Sequence, residues 1–155
     1  RSEEQIQLIK SLWTNELVSY EGKWDVVPDA GINPMPIQQP IPVWFGGGAD
    51  KVLRRIAKYG DGWISNMESP DEESRNTVDR LFRYAEEEGR ERSQIGIEVF
   101  ISASVGSPED WLKHAKAWKE FGATHIAFGT MGSGYDSTQE HVEAIKRFKD
   151  EMASL

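Results

Sequence analysis

The chain has 155 residues, of which 38% are hydrophobic and 28% are charged, a composition typical of one globular domain in water. Its formal net charge of −8 argues against nucleic acid or an anionic membrane as a partner. The absence of cysteine excludes disulfides and zinc–thiolate sites, and it favours a cytoplasmic location.

The N-terminal segment is predicted to be one amphipathic helix over residues 2–19, with Ser2 as its N-cap. Its apolar side chains recur at helical spacing, at Ile6, Ile9, Leu12, Trp13 and Leu17. A long connection rich in glycine and proline follows over residues 20–39. Because the chain opens directly into a helix without an initiator methionine, we expect that it was cut from a longer protein.

Four strand-then-helix units are predicted over residues 40–155. The predicted strands are Ile41–Phe45, Gly62–Asn66, Ile95–Val105 and Thr124–Phe128. The predicted helices are Ala49–Tyr59, two that end near Gly89 and Gly122, and Thr138–Met152. Strands that alternate with helices imply parallel strands joined by right-handed crossovers. We therefore predict a single α/β domain over residues 1–155.

The third predicted strand distinguishes two architectures. Its residues from Ile95 to Val105 alternate between an apolar face and a face that carries Glu98, Ser102 and Ser104. An open, doubly wound sheet is covered by helices on both faces, so its strands read as continuous apolar runs. One apolar and one polar face instead favour a barrel, whose inner face accepts polar groups.

The first unit carries an apolar strand that runs into Gly46, Gly47 and Gly48 before a helix begins. Glycines let the backbone approach a ligand closely, and the free N–H groups of a helix start attract an anion. The sequence alone leaves open a second interpretation, a tight turn between strand and helix without a ligand.

No catalytic residue or metal site is predicted. The histidines His114, His125 and His141 do not form a cluster, and their spacing matches no zinc motif. The chain has no Gly-x-Ser-x-Gly elbow, so hydrolase chemistry has little support. The motif Asp61-Gly62-Trp63 is interpreted as architectural, with the glycine shaping a turn and the tryptophan packing.

The segment Pro40–Trp63 resembles the second half of the bacterial-luciferase-like monooxygenases, which are TIM barrels that bind FMN or the deazaflavin coenzyme F420. The resemblance rests on Gly46-Gly47-Gly48-Ala49, the long helix after it and then Asp61-Gly62-Trp63. The C-terminal segments Thr130–Gly134 and Glu140-His141 are also similar to the family, so the likeness covers essentially the whole chain.

The resemblance implies two sets of cofactor-binding residues. Gly46, Gly47, Gly48 and Ala49 would hold the cofactor phosphate, and Thr130, Met131 and Gly132 would line the mouth of the barrel. The family usually has serine where Ala49 stands, so the phosphate would be bound by backbone N–H groups without that hydroxyl.

A complete (β/α)₈ barrel needs roughly 200–250 residues. The resemblance therefore implies that this chain is the C-terminal half of a TIM barrel, about four β/α units of an FMN- or F420-dependent oxidoreductase. A half-barrel has exposed strand edges and an uncovered inner face, so we expect self-association as a homodimer or pairing with a separate N-terminal half. The alternative is a catalytically inactive, self-associating half-barrel with a structural role only.

Overall fold

A computed structural model of the chain describes residues 1–153 and 155. The helices are α1 Ser2–Thr14, α2 Asp50–Tyr59, α3 Glu72–Glu87, α4 Pro108–Phe121 and α5 Thr138–Met152. The strands are β1 Val18–Glu21, β2 Val26–Ala30, β3 Trp44–Gly46, β4 Gly62–Ile64, β5 Gly96–Ser102 and β6 His125–Gly129. Within the described residues, none of the helices has both the length and the apolar character needed to cross a membrane.

Four parallel strands form the main sheet, in the order β3-β4-β5-β6, and a helix follows each of them. This arrangement confirms the predicted series of four β/α units. Three of the four strands are shorter than predicted, and the last, His125–Gly129, has the predicted length but lies one residue later. The first begins at Trp44 instead of Ile41, since Pro42 has no N–H to donate to the sheet. The third ends at Ser102 instead of Val105, because the chain turns towards Gly106, whose φ is 77°.

The helix prediction for residues 2–19 begins at the correct residue but gives the wrong N-cap and extends too far. The N-cap is Arg1, without a side-chain hydrogen bond, and Ser2 is the first helical residue. At the other end, the Asn15 side chain donates to the carbonyl of Ser11 at 2.8 Å and the helix stops at Thr14. The following residues form an antiparallel pair, β1 with β2, inside the region that was predicted as helix end and connection. Side-chain competition for backbone acceptors at Asn15 is typical of a helix end.

The core lies on one side of the sheet. In β5 and its flanks the buried residues alternate with more exposed ones, so Ile95, Ile97, Val99, Ile101 and Ala103 face the helices. The other face carries Ile64, Glu98 and Phe100, and is called the open face below. Ile64 is 45% exposed and Phe100 is 53% exposed on it. The one-sided burial confirms the predicted alternation within the strand, whereas Val105 lies beyond the strand end and is exposed.

One indole closes the lower end of the open face, where the strands begin. The Trp44 ring lies across Gly62 and Gly96, and a Cβ atom at either glycine would come well under 3.0 Å from it. Its edge meets the ring of His125 with 4.7 Å between centroids. Trp44 thus links β3 to the three other strands, and it needs glycine at both positions beneath it.

We expect Gly62→Ala to destabilise the fold by about 1–3 kcal/mol, because the added methyl group overlaps the Trp44 ring and the packed sheet cannot move away cheaply. Gly46→Ala is the matched control, since its nearest neighbour would be the Ile64 carbonyl at 4.0 Å. Urea unfolding followed by circular dichroism measures both changes. Equal stability of the two variants would contradict the conclusion that the Trp44 ring packs directly on Gly62.

Candidate functional site

The candidate site begins where β3 ends. Gly46 is the last residue of this strand and Ala49 is the N-cap of α2, with φ −66° and ψ 146°. Between them Gly47 has φ 98°, a conformation that side chains rarely allow. Residues 46–49 are called the glycine loop below. The backbone conformation at position 47 requires glycine, whether or not a ligand binds.

The start of α2 differs from the starts of the helices after it. Asp71 caps α3 by accepting from the N–H of Ser74 at 2.9 Å, and reciprocal capping boxes begin α4 and α5. Ala49 has only a methyl group at the equivalent position, so no side chain caps α2 among the described residues. Of the N–H groups in its first turn, that of Val52 donates to the Ala49 carbonyl at 2.8 Å, which leaves those of Asp50 and Lys51 for a ligand or water.

Trp63 fixes the glycine loop from below. Its side chain is fully buried in the core, and its Nε1–H donates to the Gly47 carbonyl at 2.7 Å. Two residues earlier, the Asp61 carboxylate accepts from the N–H of Val43 at 2.8 Å and from Lys10 Nζ at 3.3 Å. The motif Asp61-Gly62-Trp63 therefore holds both ends of β3 and also ties α1 to the sheet. Its interpretation as architectural agrees with these contacts.

A cavity of about 480 Å³ lies between the glycine loop and α3. Gly48 and Ala49 line it on one side, and Ser74, Thr77 and Arg80 of α3 line it on the other. The Nε atom of Arg80 is hidden from water and has no hydrogen-bond partner in the described part of the chain. The cavity thus combines an uncapped helix start with an unpaired cationic donor, a combination suited to an anion.

The first residue of α2 is anchored to α3. The Tyr84 hydroxyl donates to the Asp50 carboxylate at 2.5 Å, and Arg54 Nε lies 3.2 Å from the same carboxylate. The hydrogen bond from Tyr84 is the main cause that lowers the pKa of Asp50, and Arg54 adds to it. Asp50 is therefore an ionised anchor for the helix start, and its acceptors are engaged within the protein.

The second predicted set of residues lies in the loop between β6 and α5. Thr130 Oγ1 is 2.8 Å from His141 Nδ1, whereas Met131 is 84% exposed and Gly132 has φ 73°. Gly132 lines a separate cavity of about 650 Å³ between the loops that follow β5 and β6. Arg147 also lines this cavity.

The structure does not bring the two sets into one cavity. The glycine loop follows β3 and Thr130 follows β6, and these strands are the two edges of the four-stranded sheet. Both sets nevertheless lie at the carboxyl ends of the strands, where parallel β/α folds place their ligands. Cofactor binding by either set stays a prediction.

The histidines occupy the elements that were predicted for them: His114 and His141 lie in helices, and His125 begins β6. Within residues 1–153 and 155, no group of three His, Cys, Asp or Glu side chains is arranged to hold a metal ion. His141 bonds to Thr130 and meets Tyr135 edge-on, so it supports the loop after β6.

Sequence reasoning missed Arg80. The signal that could have found it is the spacing of Ser74, Thr77, Arg80 and Tyr84, three or four residues apart and hence on one side of α3. Because this side faces α2, Ser74, Thr77 and Arg80 line the cavity and Tyr84 contacts Asp50.

A family model described as luciferase-like monooxygenase matches residues 1–153. An uncharacterized protein of Mycobacterium bovis is 29% identical over 98% of this chain and 51% of its own length. An F420-dependent glucose-6-phosphate dehydrogenase of Kineococcus radiotolerans is 29% identical over 80% of this chain and 37% of its own length. The chain thus spans about half the length of the first relative and less of the second.

A solved structure of an F420-dependent secondary alcohol dehydrogenase, in complex with an F420–acetone adduct, has a TM-score of 0.69 to this chain. The two are 16% identical, and the match covers 93% of this chain and 61% of the other. This likeness is one of fold. Together with the four parallel β/α units, it confirms the predicted fold class, the C-terminal half of a TIM barrel.

We expect Trp63→Phe to lower the free energy of unfolding by about 1–3 kcal/mol, because it leaves the Gly47 carbonyl without its donor. Trp111→Phe is the matched control, since Trp111 is also buried but its Nε1 has no partner among the described residues. Urea unfolding of both variants separates the hydrogen bond from the packing change. A loss at Trp63 no greater than that at Trp111 would argue against the proposed anchoring of the loop.

Proposed function

Because this chain belongs to the luciferase-like monooxygenase family, we propose that it is part of an oxidoreductase that uses coenzyme F420 or FMN. We further propose that the glycine loop and the start of α2 hold the phosphate of this cofactor. The activity belongs to the whole enzyme, of which this chain corresponds to about half by comparison with its relatives. The lack of cysteine fits our proposal of a cytoplasmic location.

The observation that carries the proposal is the uncapped start of α2. The helices after β4, β5 and β6 all begin with a side-chain cap, whereas the helix after the glycine loop begins with Ala49. A phosphate oxygen accepts from the same N–H groups that a cap would use, and the helix dipole favours its charge. The residues present therefore fit a phosphate group.

The cofactor supplies the hydride or oxygen chemistry when it is bound, and the protein supplies binding and orientation. The glycine loop would fix the phosphate end. The exposed apolar side chains Ile64 and Phe100 lie on the open face of the same sheet, where a planar ring could pack and be shielded from water. Thr130, Met131 and Gly132 would contribute to the opposite side of the mouth.

A second candidate function is a self-associating half-barrel with a structural role. The observation that favours it is the open face, on which Ile64 and Phe100 are about half exposed. Apolar side chains that sit together on an uncovered sheet are typical of an interface. We propose that a second half-barrel covers this face, either another copy of the chain or an N-terminal half.

We expect Ala49→Asp to stabilise the protein by about 0.5–2 kcal/mol while it abolishes cofactor binding, because the carboxylate caps α2 and repels the phosphate. Fluorescence titration with FMN and with F420 measures binding, and urea unfolding measures stability. Ser107→Asp is the control, since it adds the same charge at the start of α4 and keeps a capping side chain. Unchanged binding by the Ala49 variant would contradict the phosphate assignment.

We expect the chain to self-associate at micromolar concentration, and Phe100→Glu to shift it towards the monomer by placing a charge on the open face. Ile145→Glu is the control, because Ile145 is 49% exposed but lies on α5 instead of the sheet. Light scattering reports the mass of each variant. A monodisperse monomer for the unmodified chain would count against pairing through a second copy.

A further inference from the structure

We propose that Arg80 of α3 is the cation that binds the phosphate of the cofactor beside the glycine loop. This inference rests on the proposed function, since it names a further ligand for the same phosphate. Three observations carry it: the position of Arg80 along the axis of α3 relative to the N-terminus of α2, its unpaired donor atom, and the charges of the cavity that it lines.

The packing of α2 against α3 places Arg80 beside the glycine loop. Tyr84 contacts Asp50 at the start of α2, and further along both helices Arg54 Nη1 lies 3.6 Å from Glu87. The two helices therefore run in the same direction, and the residues before Tyr84 extend past the N-terminus of α2. Arg80 lies four residues before Tyr84, about 6 Å along the axis. It lines the same cavity as Gly48 and Ala49.

The guanidinium of Arg80 is free to bind an anion. Its Nε is buried without a hydrogen-bond partner, and Arg80 forms no ion pair within the described part of the chain. Asp50 is close enough for the Arg80 charge to contribute, after Tyr84 and Arg54, to lowering the pKa of that carboxyl. The Asp50 oxygens, however, accept from Tyr84 and Arg54. A buried donor without a partner is rare in folded proteins, so Arg80 Nε is a candidate donor to an acceptor that enters the cavity.

The remaining charges of the cavity make a cation necessary. Three acidic residues, Glu68, Asp71 and Glu73, also line it, and among the described residues Arg80 is the one basic residue in the lining. Because the acidic residues outnumber it, Arg80 offsets only part of their charge, and it is the group in this lining whose charge attracts an entering phosphate. Ala49 brings no hydroxyl to the site, whereas a guanidinium offers a planar pair of charge-assisted hydrogen bonds that match phosphate oxygens.

The test compares ligands with and without phosphate on the full chain. FMN and riboflavin are titrated by flavin fluorescence, and F420 is compared with its phosphate-free deazaflavin. We expect Arg80→Gln to weaken FMN or F420 binding by about 10- to 100-fold and to leave binding of the phosphate-free ring unchanged. Arg80→Lys keeps the charge without the planar fork, so we expect an intermediate loss.

Arg83→Gln is the matched control, because Arg83 lies on the same helix and is exposed to solvent. It removes the same charge, and we expect both ligands to bind it as they bind the unmodified chain. Melting temperatures of all variants exclude loss of the fold as the cause of a change.

The outcomes separate the two proposals. If the unmodified chain prefers FMN over riboflavin or F420 over its phosphate-free form, and Arg80→Gln keeps that preference, the assignment of Arg80 is overturned and the glycine loop stands. If the unmodified chain shows no preference for the phosphate-bearing ligand, the phosphate site itself is contradicted, and Arg80 with it. An equal loss of both ligands in Arg80→Gln, with a lower melting temperature, assigns Arg80 a structural role and also overturns the inference.

Discussion

The hydrogen bond from Trp63 to the Gly47 carbonyl joins the core of this protein to its candidate site. The indole ring is buried among apolar side chains, and only its N–H reaches the backbone of the loop above. Burial of such a ring contributes about 2–3 kcal/mol, so the position of the donor is set by packing. A loop that contains a residue at φ 98° is thereby fixed by the hydrophobic core. This contact gives a physical reason for two short motifs that lie 16 residues apart to occur together.

On the open face, the packing of Trp44 on two glycines determines which end of the sheet is covered. Gly62 and Gly96 follow the same register across β4 and β5, and the missing side chains form a shallow seat for Trp44. The strand ends near that seat are therefore closed by an aromatic ring, while the opposite ends carry loops and cavities. This asymmetry restricts a ligand that packs on the sheet to the carboxyl ends of the strands. The glycine loop and the loop after β6 both lie at those ends.

The β/α units were predictable because each strand and helix has its own periodicity, and the alternation in β5 even identified which face is buried. The region after α1 was not predictable, because Leu17 and Val18 continue the helical apolar pattern of α1 although the chain there forms the β1–β2 pair. The glycine loop was predictable as a backbone device. The residues of α3 that line the other side of the cavity were not predictable. Their spacing shows which residues share a side of α3, but it does not show how far α3 extends past the N-terminus of α2. That offset is set by the contact between Tyr84 and Asp50, two residues that are 34 positions apart.

The net charge of −8 and the proposal of an anionic cofactor are compatible because binding depends on local donors. Screening at physiological ionic strength limits the effect of distant surface charges to about 8 Å. At the site itself, the start of α2 offers the N–H groups of Asp50 and Lys51, and Arg80 is the basic residue of the cavity lining among the described residues. The carboxylate of Asp50, at the helix start, accepts a hydrogen bond from a hydroxyl and is paired with a guanidinium. In the proposed site two tasks are therefore separate: acidic surface residues set the overall charge, and a small number of local donors select the ligand.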